Sequence, residues 1–191
     1  LEGMEIVDNE DEAAADALAQ RFMESGTRLL SAKASRRKIK NPMYYAMMME
    51  ELGDVDCTFC GHINTTGDVL LAAQTIIGLA DGVDVPSILA LVDTPNFHGP
   101  EGSVIGFADC GLNTEPTPNE LASIAISAAD GVKSIMGWEP RVAFLSFSTD
   151  GSGSSASVEN TKAAIQIMHE RRPDIPADGE FQLDTAIDPK V

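Results

Sequence analysis

The segment with the most chemical character is Ser148-Thr149-Asp150-Gly151-Ser152-Gly153-Ser154-Ser155, which lies between an apolar run and an amphipathic one. Small side chains let a ligand approach the backbone there. Hydroxyls and free N–H groups entering a helix suit an anion such as phosphate. Ser148, Gly151 and Ser152 are the candidate contacts. Asp150 opposes that reading with a like charge, and a plain flexible connection competes with it. A second candidate is Cys57-Thr58-Phe59-Cys60-Gly61-His62, which has metal-ligand chemistry in its residue types. Strand alternation sends Cys57 and Cys60 to opposite faces, and no second Cys or His pair completes a tetrahedral set. Buried, reduced, metal-free cysteines are expected, Cys110 included. His98 and His169 have no recognisable catalytic partners, so no catalytic residue is assigned from spacing.

The elements that position these residues follow from periodicity. A short strand is expected at Glu5–Val7 and an amphipathic helix from Asp11 to Ser25, with Ala14, Leu18 and Phe22 on its apolar side. The basic segment Arg28–Lys40 reads as helical and stops before Asn41-Pro42, where proline can start the next helix. Tyr44, Met47, Met48 and Leu52 form that helix's apolar stripe, which reads as core. From Val55 onward the pattern is strand, loop, helix. Strands are expected at Val55–Cys60, Ser87–Val92, Val104–Ala108, Arg141–Phe147 and Ala177–Phe181. Helices are expected at Thr66–Ile77, from Thr117 to about Met136, and at Ser157–Arg172. Thr117-Pro118-Asn119-Glu120 is a capping box with proline at the first helical position. The pattern predicts an α/β fold, a three-layer α/β/α sandwich with a mixed sheet. Residues 1–55 form an N-terminal helical segment and 56–191 an α/β domain truncated on its C-terminal side.

Composition narrows the function. The net charge of −17 disfavours nucleic acid and anionic membranes, which need a basic face. Seven of the 13 Lys and Arg residues fall within the first 40 positions, and none lies between Asn41 and Val132. An anion held by the middle of the chain must therefore use amides and hydroxyls or borrow cations from elsewhere. Three cysteines make no disulfide framework and indicate a reducing, cytoplasmic setting. No run of apolar residues approaches a membrane span. Leu1 in first position suggests that Leu1–Gly3 are processing remnants or that the natural chain starts upstream.

Several weak motifs become specific when read in order. Asn41-Pro42-Met43-Tyr44-Tyr45, Gly61 through Asp68, Phe107 through Asn113, Glu139 through Thr149 and Asp178 through Asp184 occur in the sequence and at the separations found in phosphate acetyltransferases. The chain resembles the central portion of the phosphate acetyl/butyryl-transferase, or phosphotransacetylase, family. The resemblance implies an isocitrate/isopropylmalate-dehydrogenase-like architecture with a cleft between two domains, a homodimer, and acyl transfer between acyl phosphate and coenzyme A. Coenzyme A enters as substrate, with no resident cofactor. It also implies substrate contacts from Thr65, Thr66 and Asp68 at a helix start and from Arg36 upstream of the Asn-Pro turn. The Thr65–Asp68 helix start and the Ser148–Ser155 loop are then expected on one sheet edge.

The departures from the family pattern bear on affinity. Leu71 stands where an arginine is expected, Asn64 where a histidine is, and Asp150 and Ser154 where lysines are common. The family's serine–arginine pair and proposed aspartate base match nothing in these residues, so the 191-residue chain by itself is expected to be inactive. An alternative is a non-catalytic acetyl-CoA-sensing domain of the kind fused to some malic enzymes.

Overall fold

In the computed structural model, residues 3–26, 30–188 and 190 are described. Contacts divide the chain into Leu1–Leu79 and Ala80–Val191. The sequence reading set its boundary at 55/56. The observed division falls later because the helix after Thr65 packs on the one before it.

The N-terminal unit is helical because each helix has its own start signal. Asp11 accepts the N–H groups of Ala13 and Ala14 at 2.9 and 3.2 Å and opens α1, Glu12–Glu24. Ser31 caps α2, Ala32–Lys38. Asn41 caps α3, Pro42–Glu51, with proline in the first turn. Thr65 caps α4, Thr66–Ile76. The basic segment was read from Arg28, but residues 27–29 lie outside the described residues. Leu18 and Phe22 of α1, Met43, Met47 and Met48 of α3, and Ala72 and Ile76 of α4 form one buried cluster. The methionine stripe is therefore core. On α1 the small buried positions are Ala15 and Ala19, and Ala14 is exposed. Arg21 closes the unit with a forked pair to Asp54, at 2.9 and 2.7 Å.

Two expected strands are absent. Glu5–Val7 and Val55–Cys60 join no ladder. The described residues of this unit form no strand at all, so an isolated extended run has nothing to bond with. The cysteine expectation changes with it, since Cys57, Cys60 and Cys110 are all exposed and unbridged.

The second unit carries the strands. β1, Ala90–Asp93, pairs antiparallel with β2, Val104–Phe107, in the register Ala90 to Phe107. α5, Pro118–Met136, begins with the expected capping box. The Thr117 hydroxyl accepts from Glu120 N–H at 3.4 Å, and Glu120 accepts from Thr117 N–H at 2.8 Å. α5 ends at Gly137, whose φ of +70° is the left-handed stop that glycine supplies. β3, Val142–Leu145, and β4, Ala177–Phe181, run parallel and are joined through α6, Ala156–Arg171. A last short helix, α7, covers Leu183–Ile187. The pairing forms two separate two-stranded ladders, β1-β2 and β3-β4.

The core of this unit lies where α5 meets α6. Ala122, Ala125 and Ala129 pack with Ala164, Ile165, Met168 and Phe144. Alanine on one helix lets the other approach closely and present its larger side chains. Arg172 fastens the far end, holding both oxygens of Asp130 at 2.8 Å and both of Asp174 at 2.9 Å. Those two carboxylates raise the Arg172 guanidinium above its ordinary range, against a small effect of burial.

Candidate functional site

The Ser148–Ser155 loop leaves β3 and enters α6, and its geometry is set by a residue from β4. Glu180 is 2% exposed. Its Oε1 accepts the Gly151 N–H at 2.8 Å and the Ser148 hydroxyl at 2.9 Å. Its carbonyl accepts the Asp150 N–H at 3.2 Å. Ser148, fully buried, accepts the Gly153 N–H at 3.0 Å in turn. The Ser152 hydroxyl accepts from Thr149 N–H, and the Ser152 N–H donates to the Thr149 carbonyl, both at 3.0 Å. One loop amide, that of Gly151, and the Ser148 hydroxyl thus meet on the chain's own Glu180 carboxylate, while the other amides of Thr149–Gly153 bond to carbonyl and hydroxyl oxygens. The Gly151 N–H bond, then Glu180's own N–H, the Ser148 hydroxyl and Lys162 hold the Glu180 carboxyl below its usual range, against burial.

Two backbone features make this closure fit. Asp150 and Gly151 adopt φ of +46° and +79°, turning the chain so that Gly151 can donate inward. Gly179, at φ +150°, lies so close to β3 that an added Cβ would sit 2.7 Å from the Phe144 carbonyl oxygen. Only glycine fits there. Glu180 is thereby brought under the loop. Lys162 of α6 stands 3.9 Å from Glu180 Oε1 and 3.8 Å from Glu159. It brings a cation to the loop from one helical position that the sequence reading did not single out.

Of the expected contacts here, Ser148 faces inward, whereas Gly151 and Ser152 are exposed. Ser148 and Gly151 meet at Glu180, and Ser152 bonds instead to Thr149. In the N-terminal unit Thr65, Thr66 and Asp68 are exposed at the start of α4. Thr65 donates to Asp68 Oδ2 at 2.7 Å and accepts the Asp68 N–H at 3.2 Å, so this pair is a capping box. Arg36 lies 3.5 Å from Asp16, with both side chains about two-thirds exposed. Lys38 instead meets the Tyr44 hydroxyl at 2.9 Å and lies 4.0 Å from the centre of its ring.

A second carboxylate organises the Phe107–Asn113 motif. Asp109 accepts from the N–H groups of Ile88 at 3.0 Å, Leu112 at 3.0 Å and Asn113 at 2.6 Å, and from the Asn113 amide at 2.8 Å. Burial pushes the Asp109 carboxyl upward, but these donors prevail and hold it at about 2. With the Gly111 N–H at 3.3 Å as well, this carboxylate is committed to five donors and is a structural hub. The sequence reading singled out neither Glu180 nor Asp109 as the organiser of its loop. The available signal was an acidic residue in or just after a strand between small or apolar neighbours, Ala108 and Cys110 for Asp109, Gly179 and Phe181 for Glu180. Among the described residues no three His, Cys, Asp or Glu side chains gather as a metal group.

Solved structures share this architecture. The chain superposes over its whole length on 57% of the EutD phosphotransacetylase from Staphylococcus aureus, with a TM-score of 0.80 and 30% identity. Over 95% of its length it matches 53% of a phosphotransacetylase from Streptococcus pyogenes, with a TM-score of 0.73 and 28% identity. It is thus an α/β protein with a phosphotransacetylase-like fold. Residues 1–191 match the family model described as phosphate acetyl/butaryl transferase, and the chain belongs to that family. It is 38% identical over 188 residues to the phosphate acetyltransferase of Clostridium acetobutylicum, covering 98% of this chain and 56% of that protein. It is 37% identical over 196 residues to the Treponema pallidum phosphate acetyltransferase, covering 100% and 58%. The chain therefore spans little more than half the length of these relatives.

Proposed function

We propose that this chain is part of a phosphate acyltransferase that moves an acyl group between acyl phosphate and coenzyme A. One observation carries the reading. Within a chain that matches the family over residues 1–191, the segments Glu139–Thr149 and Asp178–Asp184, which resemble those of phosphate acetyltransferases, meet as β3 and β4 and build the Ser148–Glu180 loop. In the reaction the coenzyme A thiolate attacks the acyl carbonyl, the carbon–oxygen bond to phosphate breaks, and phosphate leaves with the electron pair. That chemistry needs a base for the thiol and donors for the phosphate and the developing oxyanion. The exposure of Gly151 and Ser152 at the turn, with the small side chains around them, supports a binding role for both, with Ser148 holding the loop in shape. Arg36, Thr65, Thr66 and Asp68 are the proposed substrate contacts of the N-terminal unit. No resident cofactor is required.

The larger protein is proposed to be a cytoplasmic homodimer with a three-layer, mixed-sheet, dehydrogenase-like architecture. No described helix is long and apolar enough to cross a membrane. The 191-residue chain alone is proposed to be inactive, because its relatives are nearly twice as long. The test is a chimera in which these residues replace the aligned 188-residue region of the C. acetobutylicum relative. Formation of acetyl-CoA from acetyl phosphate, above a chimera-free control, is expected. A folded chimera with no turnover would refute the reading, and robust turnover by the 191-residue chain alone would refute its inactivity.

A further inference from the structure

α2 carries a row of cations in a chain that is otherwise strongly acidic. Lys33, Arg36 and Arg37 recur at the i, i+3, i+4 spacing of one helical face, and Lys40 continues the row at i+7, just past the Ile39 cap. All four are exposed, whereas Ser35 and Ile39 are buried and fix the opposite face. Like charges three and four residues apart repel one another. The chain has 30 acidic residues with which to neutralise them, and elsewhere it does so. Arg21 and Arg172 hold carboxylates at 2.7 to 2.9 Å. On α2, Arg36 reaches only Asp16, at 3.5 Å, with both side chains about two-thirds exposed. The side chains of Lys33, Arg37 and Lys40 have no ion-pair or hydrogen-bond partner among the described residues. Lys38, off this face, meets the Tyr44 hydroxyl and ring instead.

We propose that this face binds a linear oligophosphate, two or three linked phosphates with a free end, inorganic or borne on a nucleoside. The helical rise sets the row at about 10 Å from Lys33 to Lys40. A single phosphate reaches two neighbouring cations there; a chain of linked phosphates lies along the row and meets all four. The two arginines offer forked donors that match phosphate oxygens, and the two lysines place point charges at either end. Longer polyanions fit worse, because beyond the row they run onto a surface that includes Asp16, in a chain of net charge −17. Coenzyme A also fits worse, because its diphosphate is esterified at both ends and carries less charge for its length. The inference rests on the row of cations and not on the acyl-transfer reading.

Titration of the isotope-labelled 191-residue chain with orthophosphate, pyrophosphate and tripolyphosphate at matched ionic strength, followed by amide chemical shifts, provides the test. Tripolyphosphate is expected to shift the amides of residues 33–40 saturably and to bind about tenfold or more tightly than orthophosphate, less so as salt rises toward about 0.15 M. Lys33→Gln, Arg37→Gln and Lys40→Gln combined leave the Arg36–Asp16 and Lys38–Tyr44 contacts in place. This triple variant should lose about tenfold or more in tripolyphosphate affinity. Should it fail to fold, Arg37→Lys, which keeps the charge and loses the fork, should weaken binding about threefold. An ATP arm assigns the source: shifts at the same amides put the oligophosphate on a nucleoside, and shifts with tripolyphosphate alone make it inorganic. The proposal is overturned if tripolyphosphate binds no tighter than orthophosphate, or if the triple variant binds as the wild type does. It is overturned equally if coenzyme A, or an oligoglutamate of equal charge, matches tripolyphosphate at these amides.

Discussion

Glu180 accepts the Ser148 hydroxyl at 2.9 Å while only 2% exposed, so the loop after β3 is closed by a side chain from the strand beside it. The pair joins two sequence motifs 32 residues apart. It also explains how a loop rich in serine and glycine can have one shape.

Glu180→Gln should loosen this loop while keeping its volume. The thermal midpoint is expected to fall by at least ~3 °C, as for loss of a buried network member. Exchange at Gly151 and Gly153 should quicken. Ser148→Ala combined with Glu180→Gln should cost less than the sum of the two, which a double-mutant cycle measures. Because the folded Glu180 carboxyl sits below its usual value, its contribution is present above the unfolded value and fades as pH falls through the folded one.

Asp109 gives a second acid-sensitive contribution. Its carboxyl sits at about 2 when folded, against 3.8 ordinarily. That difference stabilises the fold by about 2 kcal/mol at neutral pH, and the contribution is lost between about pH 4 and pH 2. Asp109→Asn should remove it. Urea unfolding is expected to separate the two proteins by about 2 kcal/mol at pH 7 and to bring them together near pH 2. A constant gap across that range would contradict the assignment.

Gly179→Ala should be the most damaging small substitution in the second unit. The new methyl would meet the Phe144 carbonyl oxygen at 2.7 Å, and φ of +150° disfavours any side chain. A loss of roughly 2 kcal/mol or more is expected. Gly151→Ala, where no atom lies within 4 Å, should cost less despite its positive φ. Equal unfolding midpoints for the two variants would contradict this ranking.

Coenzyme A should bind the isolated chain weakly. There is no Lys or Arg from Asn41 through Val132, and the amides of Thr149–Gly153 already serve Glu180 and the loop itself. A dissociation constant of roughly 1 mM or weaker is expected at low salt, no more than about 4 kcal/mol of binding free energy. Arg36→Ala should weaken it a few-fold further. Micromolar binding by calorimetry, unchanged in Arg36→Ala, would contradict both statements.

Local physics was legible in the sequence. Thr117-Pro118-Asn119-Glu120 announced a helix start because a capping box is complete within four residues, and α5 begins there. β4 falls at Ala177–Phe181 as read, and the Met47 and Met48 stripe is core. The ordered motifs also sufficed for the family. What sequence could not supply was partnership. Val55–Cys60 has strand-like residues, yet it forms no strand among helices, and Cys57 and Cys60 are exposed in consequence. The donors of Ser148–Ser155 were visible, but the Glu180 carboxylate that takes the Gly151 N–H and the Ser148 hydroxyl was not. A strand crossover brings Glu180 under Gly151, and a backbone approach that only Gly179 allows lets it fit. Hydrogen bonds within one turn are fixed by neighbours in sequence; a carboxylate 29 residues away reaches an amide only after the chain has folded back, and that decision belongs to the tertiary structure.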